Sequence, residues 1–175
     1  MTRILAFDEW LLHALVACRR IWLDRTMRTI THLGGATSAI TAALLLCLTP
    51  PRGLQQAGAV AAFALATSHL AVQLLKRSVT RARPALRPGF EMLIHAPDRF
   101  SFPSGHAAAA FAVALPVAAA LPVMAAAALI ALALTIGISR CYLGVHYPGD
   151  VLAGWLLAAV ALAAAPAGLA LLGLA

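Results

Sequence analysis

At 175 residues the chain has room for one domain and not comfortably for two. Its hydrophobic fraction of 62 %, charged fraction of 11 % and mean hydropathy of +0.90 exclude an ordinary soluble domain, which runs near half apolar and a quarter charged, and make lipid its solvent. The net charge of +7 does not point to nucleic acid, because the basic residues sit at the ends of apolar runs and not along a water-facing stripe.

In chain order, the stretch from Ile4 to Cys18 comes first. Phe7, Trp10, Leu11, Ala14, Leu15 and Cys18 recur at helical spacing, with Asp8, Glu9 and His13 elsewhere on the wheel. The pattern predicts an amphipathic helix at the membrane interface, with a short first span as the alternative. Asp8 and Glu9 interrupt the apolar run, so no cleavable signal peptide is expected. Apolar runs long enough to span follow at Met27–Thr49, Leu54–Leu75, Gly105–Leu121, Pro122–Ile138 and Val151–Leu174, against the roughly 17–25 residues of helix that a bilayer requires. Pro122 suits a helix start and marks the boundary between the third and fourth, and Pro116 is a candidate kink. Ala85–Pro103 contains no spanning run and must stay on one side of the bilayer. The Ala-rich tracts read as helix filler. Cys18, Cys47 and Cys141 are too scattered for a metal knuckle or redox pair and read as packing residues. The expectation is an all-α integral membrane bundle over residues 1–175, with five transmembrane helices plus the N-terminal amphipathic or sixth helix.

Three polar clusters stand at the ends of these spans. The first is Lys76, followed after six residues by Arg83-Pro84; the second is Pro103-Ser104-Gly105-His106; the third is Ser139-Arg140, then His146, then Asp150. A non-spanning loop joins the first to the second, and two spans separate the second from the third, so all three share one face of the membrane. Lys76, Arg83 and Arg140 offer positive charge and forked donors suited to phosphate oxygens. Ser104 and Gly105 open a helix whose N–H groups and dipole favour an anion. His146 can attack phosphorus when neutral, and Asp150 can orient it and stabilise its cationic form. His106 is then free to act as general acid. Taken singly, each residue has a plain structural role: Lys76 snorkels, Ser104 and Asp150 cap helices, Arg140 complements a helix C-terminus. Together, ionisable groups at membrane depth on one face point to function.

These clusters resemble the three signature motifs of the type 2 phosphatidic acid phosphatase family, which shares its site with vanadium haloperoxidases and bacterial non-specific acid phosphatases. All eleven positions match: Lys76, Arg83, Pro84, Pro103, Ser104, Gly105, His106, Ser139, Arg140, His146 and Asp150. The motif core spans residues 76–150, and the N-terminal quarter resembles the family in hydropathy alone. The resemblance implies a phosphohistidine on His146, orientation of His146 by Asp150, and proton transfer to the leaving group and from water by His106. It also implies that Lys76, Arg83, Ser104, Gly105, His106 and Arg140 hold the phosphate, in a helical bundle that needs no metal or other cofactor. That agrees with the residues, which include no carboxylate cluster suited to magnesium.

The expected reaction is hydrolysis of a phosphomonoester or pyrophosphate of a membrane lipid, with phosphatidic acid, phosphatidylglycerol phosphate and polyprenyl pyrophosphate as candidates. The expected partners are that lipid phosphate and membrane lipids, with no nucleic acid and no required protein. A non-catalytic lipid-phosphate-binding or transport bundle is the alternative. Arg87, Glu91, His95 and Arg99 mark the loop expected to select the headgroup. Arg77, Arg81, Arg87 and Arg99 against Arg52 would put the active face in the cytoplasm by the positive-inside rule. The family resemblance implies an extracytoplasmic site instead, and phosphate binding gives those cations another reason to be there.

Overall fold

The computed structural model describes residues 2–96 and 98–173. It is built from α1 (Thr2–Ala17), α2 (Ile21–Thr31), a single 3₁₀ turn (His32–Gly34), α3 (Ala36–Cys47), α4 (Arg52–Val79), α5 (Gly105–Ala119), α6 (Val123–Tyr142) and α7 (Pro148–Leu171). The all-helical membrane architecture expected from composition is therefore what forms. α4, α6 and α7 are each long and apolar enough to cross a bilayer, and α2 and α3 qualify as a bent pair.

Two expected spans differ. Gly105–Leu121 forms α5, whose 15 residues fall short of the roughly 17–25 that a bilayer requires. The run Met27–Thr49 is not a continuous helix: α2 starts at Ile21, and its axis meets that of α3 at 54°. The cause is the Gly34-Gly35 pair, a common origin of sharp kinks. Gly35 is extended (φ −67°, ψ 155°), and a Cβ on Gly34 would lie 2.5 Å from Ile136 Cγ2 and 3.0 Å from the His106 carbonyl oxygen. The bend lets the first turn of α5 approach where a side chain would block it.

α5 is the central helix, packed against α3, α4, α6 and α7. The alanines that read as filler are its packing surface: Ala107, Ala108, Ala109, Ala110, Ala112 and Ala114 are all buried. Ala39, Ala43, Ala61, Ala64, Ala158 and Ala161 of the neighbouring helices meet this face. In lipid there is little hydrophobic force between helices, so small residues that allow close backbone approach supply the cohesion. Pro122 caps the start of α6, as expected, and Pro116 falls in the last turns of α5.

α1 forms over the stretch expected to be an amphipathic helix. Phe7 and Trp10 are exposed and stacked with ring centroids 5.8 Å apart, whereas Leu12 and Val16 are fully buried with Ala107, Cys141 and Val151. The helix lies against α6 and α7.

Candidate active site

The first cluster is shaped by how α4 ends. Thr80 adopts a left-handed conformation (φ 47°), and its N–H returns to the Lys76 carbonyl at 3.2 Å. That conformation is strained for a β-branched residue. It turns the chain so that Lys76 on the helix and Arg83 beyond it converge on one carboxylate. Asp98 Oδ1 accepts from Lys76 Nζ at 3.0 Å, from Arg83 Nη2 at 2.8 Å and from the Phe100 N–H at 3.2 Å. Burial would raise the Asp98 pKa, but the contacts with Lys76 and Arg83 outweigh it and hold the carboxyl below its ordinary value. Lys76 does not snorkel outward; it is buried and donates also to the Phe100 carbonyl at 2.9 Å.

Ser104 caps α5, accepting weakly from the Ala107 N–H at 3.4 Å, while its own N–H donates to the Asp150 carbonyl at 2.9 Å. α7 can come this close because residue 154 is glycine: a Cβ there would sit 2.5 Å from the Ser104 carbonyl oxygen. Gly105 and His106, in the first turn of α5, line a cavity of about 600 Å³ that also reaches Lys76, Asp98 and His146. The positive end of the α5 dipole faces this space.

The third cluster closes the site. Arg140 is 1 % exposed, and its Nη1 donates to Thr31 Oγ1 at 2.7 Å. Its Nε and Nη2 are buried and have no partner among the described residues. Buried, charged and unpartnered donors are costly, and an anion would satisfy them. After α6, the N–H groups of Val145 and His146 both donate to the Arg140 carbonyl, at 3.1 and 3.2 Å, and fold the chain so that His146 turns inward. His146 is 1 % exposed, with Nε2 at 3.4 Å from Arg83 Nη1 and Nδ1 at 3.5 Å from Asp150 Oδ2.

Burial pushes the His146 imidazole down from 6.5 to about 4; Asp150 pulls the other way, and the charges of Arg140 and Arg83 reinforce the lowering. The ring is therefore neutral near pH 7, the state a nucleophile needs. The contact with Asp150 is loose at this separation, and Nδ1 makes no full hydrogen bond. Such contacts commonly tighten when substrate binds.

Asp150 has firmer partners, and they reveal residues that spacing did not single out. Its Oδ2 accepts from the Tyr147 N–H at 2.9 Å, and its Oδ1 accepts from Arg81 Nη1 at 2.8 Å. Arg81 lies 4.0 Å over the Tyr147 ring, and its Nη2 donates to Asp8 Oδ2 at 2.7 Å. Asp8 in turn accepts from the Gly149 N–H at 2.7 Å. Asp8 thus hooks α1 onto the turn that carries His146. A usable signal existed: the chain has six acidic residues against thirteen Lys and Arg. Each carboxylate near the cations was bound to be drawn into pairing.

Among the described residues, seven of the eight expected site positions meet at the cavity: Lys76, Gly105, His106 and His146 on its wall, and Arg83, Ser104 and Asp150 in contact with them. Arg140 joins through its carbonyl, which accepts from the His146 N–H, while its guanidinium reaches Thr31 and does not line the cavity. The loop residues Arg87, Glu91, His95 and Arg99 do not line the cavity. Arg19 ties that loop down through the Glu91 carbonyl at 2.8 Å, and Arg99 stacks on Phe100 at 6.0 Å.

Residues 57–170 match the family model described as the PAP2 superfamily. Over 163 residues the chain is 35 % identical to phosphatidylglycerophosphatase B of Bacillus subtilis, covering 86 % of this chain and 77 % of that one. Over 156 residues it is 33 % identical to decaprenylphosphoryl-5-phosphoribose phosphatase of Mycobacterium tuberculosis, covering 83 % and 82 %. The crystal structure of Aquifex aeolicus LpxE superposes with a TM-score of 0.78 at 26 % identity, covering 89 % of this chain and 92 % of that one. The chain belongs to the PAP2 superfamily and is a membrane phosphatase.

Proposed function

We propose that the protein removes a phosphate group from a membrane lipid through a phosphohistidine on His146, with no metal in the mechanism. The observation that carries this reading is the buried, neutral imidazole of His146, set between Asp150 and Arg83. Arg140, whose charge acts on His146, carries two buried guanidinium nitrogens without a partner among the described residues, which an anion would satisfy. The substrate phosphate would displace Asp98 from Lys76 and Arg83 and take donors from Arg140 and the first turn of α5. The His146 Nε2 lone pair forms the bond to phosphorus as the ester or anhydride P–O bond breaks. Asp150, facing Nδ1–H, stabilises the imidazolium that results. His106 gives its proton to the departing oxygen, then takes one from water, which attacks phosphorus and frees His146. Three cations and a helix N-terminus supply the charge stabilisation that a metal gives elsewhere.

The cavity supports a lipid substrate, since its remaining walls are largely apolar and continue along α3 and α4. A phosphate on a lipid fits that shape: head among the cations, tail beside the helices. Phosphatidic acid, phosphatidylglycerol phosphate and polyprenyl pyrophosphate all have it, and the named activities of the two sequence relatives are of this kind.

The test is His146→Ala with a radiolabelled lipid phosphate. Phosphate release falls to background while the purified protein keeps its helical spectrum. Alkali-stable, acid-labile label on the wild-type protein vanishes in the variant. Activity within tenfold of wild type overturns the assignment, and a wild-type protein that binds but never hydrolyses any lipid phosphate favours a binding or transport bundle.

We propose an extracytoplasmic site, as the family resemblance implies. Of the four arginines that the positive-inside rule counts on this face, Arg81 is committed to Asp8 and Asp150, which lessens its weight as a cytoplasmic anchor. A cysteine at exposed Ala85 is then labelled by an impermeant thiol reagent added to intact cells; labelling only after lysis reverses the orientation.

A further inference from the structure

α4 presents one stripe to the cavity, and its composition changes along the helix. Leu65 and Ala66 are apolar, then come His69 and Gln73, then Lys76 at the phosphate end. His69 and Gln73 are one turn apart, and their side-chain nitrogens meet at 3.3 Å. His69 is exposed and Gln73 half-buried, so neither is packed into the protein core.

Depth makes this pair unusual. α4 has 28 residues, about 42 Å at 1.5 Å per residue, against a hydrocarbon core of about 30 Å. Centred in the bilayer, each end projects by about 6 Å, so His69, ten residues before Val79, lies roughly 9 Å inside the hydrocarbon boundary. Gln73, by the same measure, lies roughly 3 Å inside it, and polar side chains within the hydrocarbon are expensive unless something satisfies them. One mutual bond leaves most of their capacity unused: the Gln73 amide alone carries two N–H donors and an acceptor.

Measured along the helix, Gln73 is about 4.5 Å and His69 about 10 Å deeper than Lys76. With a phosphate at Lys76, a group five to seven covalent bonds from phosphorus would lie beside them. In a glycerolipid phosphate that position holds oxygen acceptors, either ester carbonyls or a phosphodiester. In a polyprenyl phosphate or diphosphate it holds hydrocarbon.

We propose that His69 and Gln73 are specificity-determining residues that donate hydrogen bonds to the oxygen-rich linker of a glycerolipid phosphate, and that the enzyme discriminates against polyprenyl substrates. The inference rests on the phosphatase reading above and deepens it.

The experiment measures kcat/KM in one mixed-micelle system for dioleoyl phosphatidic acid, its dialkyl ether analogue, phosphatidylglycerol phosphate and farnesyl diphosphate. Wild type is compared with His69→Leu/Gln73→Leu and with His69→Gln. Leucine at lipid-facing positions suits the fold, and His69→Gln keeps a donor. The ratio of diacyl phosphatidic acid to farnesyl diphosphate falls at least tenfold in the double variant, mainly through KM, and His69→Gln recovers most of it. A fall seen with diacyl phosphatidic acid and absent with its ether analogue, which lacks the carbonyls, identifies the ester carbonyls as the group read; a tenfold fall confined to phosphatidylglycerol phosphate identifies its phosphodiester. Ratios that move less than threefold in the double variant for every pair overturn the inference while leaving the phosphatase reading intact. Absence of phosphate release from all four lipids by wild type overturns both.

Discussion

Replacing Arg140 by Met should make the protein more stable and nearly inactive, an opposition that few structural residues would show. The guanidinium is 1 % exposed, with Nε and Nη2 unpartnered and Nη1 bound to Thr31. Each buried donor without a partner costs about 1–3 kcal/mol. Removing two of them outweighs the loss of the Thr31 bond, worth about 1 kcal/mol, and leaves a net gain of about 1–5 kcal/mol. Exchanging a buried charge for an apolar side chain of similar volume is known to act in this direction. Catalysis moves the other way. If both free nitrogens donate to the phosphate, each worth about 1.5–3 kcal/mol to a charged acceptor, kcat/KM falls by about 10² to 10⁴. The assay pairs phosphate release from a short-chain phosphatidic acid in detergent with thermal unfolding in the same detergent. Activity within tenfold of wild type refutes the phosphate-binding role. A lowered melting temperature together with lost activity refutes it differently, by showing that Arg140 holds α2 against α6.

The remaining predictions concern protonation, charge competition and metal. Because folding lowers the His146 pKa from 6.5 to about 4, the native state binds fewer protons than the unfolded chain between those values. Its contribution to stability is present above pH 6.5 and lost as pH falls toward 4, and the nucleophile stays neutral across the same window. Corrected for the substrate's own ionisation near pH 6, kcat/KM should show no loss from protonation of the nucleophile between pH 8 and 5, whatever rise the protonation of His106 adds; an acid limb at 6.5 contradicts the burial argument. Asp98→Asn removes the negative charge that occupies Lys76 and Arg83, so vanadate should inhibit about fivefold more tightly, equivalent to about 1 kcal/mol for a partly exposed carboxylate. Weaker vanadate inhibition in that variant would show that Asp98 builds the anion site and does not compete for it. EDTA should leave turnover unchanged; strong loss restored by magnesium would point to metal-assisted chemistry.

The site was largely legible because its residues sit where chemistry and helix geometry coincide. Lys76 ends a span, Ser104 and His106 begin one, and His146 and Asp150 bracket the start of another, so crossing parity alone brought them to one face. Arg81 was not separable from Arg77 or Arg87 by spacing, since nothing local tells a charge that pairs with Asp150 from one that meets lipid. Its partner Asp8 lies 73 residues away, on a helix that reads as amphipathic whatever it docks against. The bend at Gly34-Gly35 was hidden for a related reason. Hydropathy averages across Met27–Thr49 without registering that the first turn of α5 needs the space. Likewise the cavity-facing role of His69 depends on where α3 lies, which no pattern within α4 discloses.

The length of α5 carries a consequence of its own. Fifteen residues reach about 22 Å, while α4, α6 and α7 beside it have 28, 20 and 24 residues. Its N-terminus meets α7 inside that helix, where Asp150 and Gly154 lie against Ser104, so the start of α7 at Pro148 stands above it. A dissolved phosphate ester must shed its water shell to descend there, whereas an amphiphile already anchored in the leaflet needs only to slide sideways and dip. A short central helix therefore sorts molecules by how they arrive, before any cation has touched them.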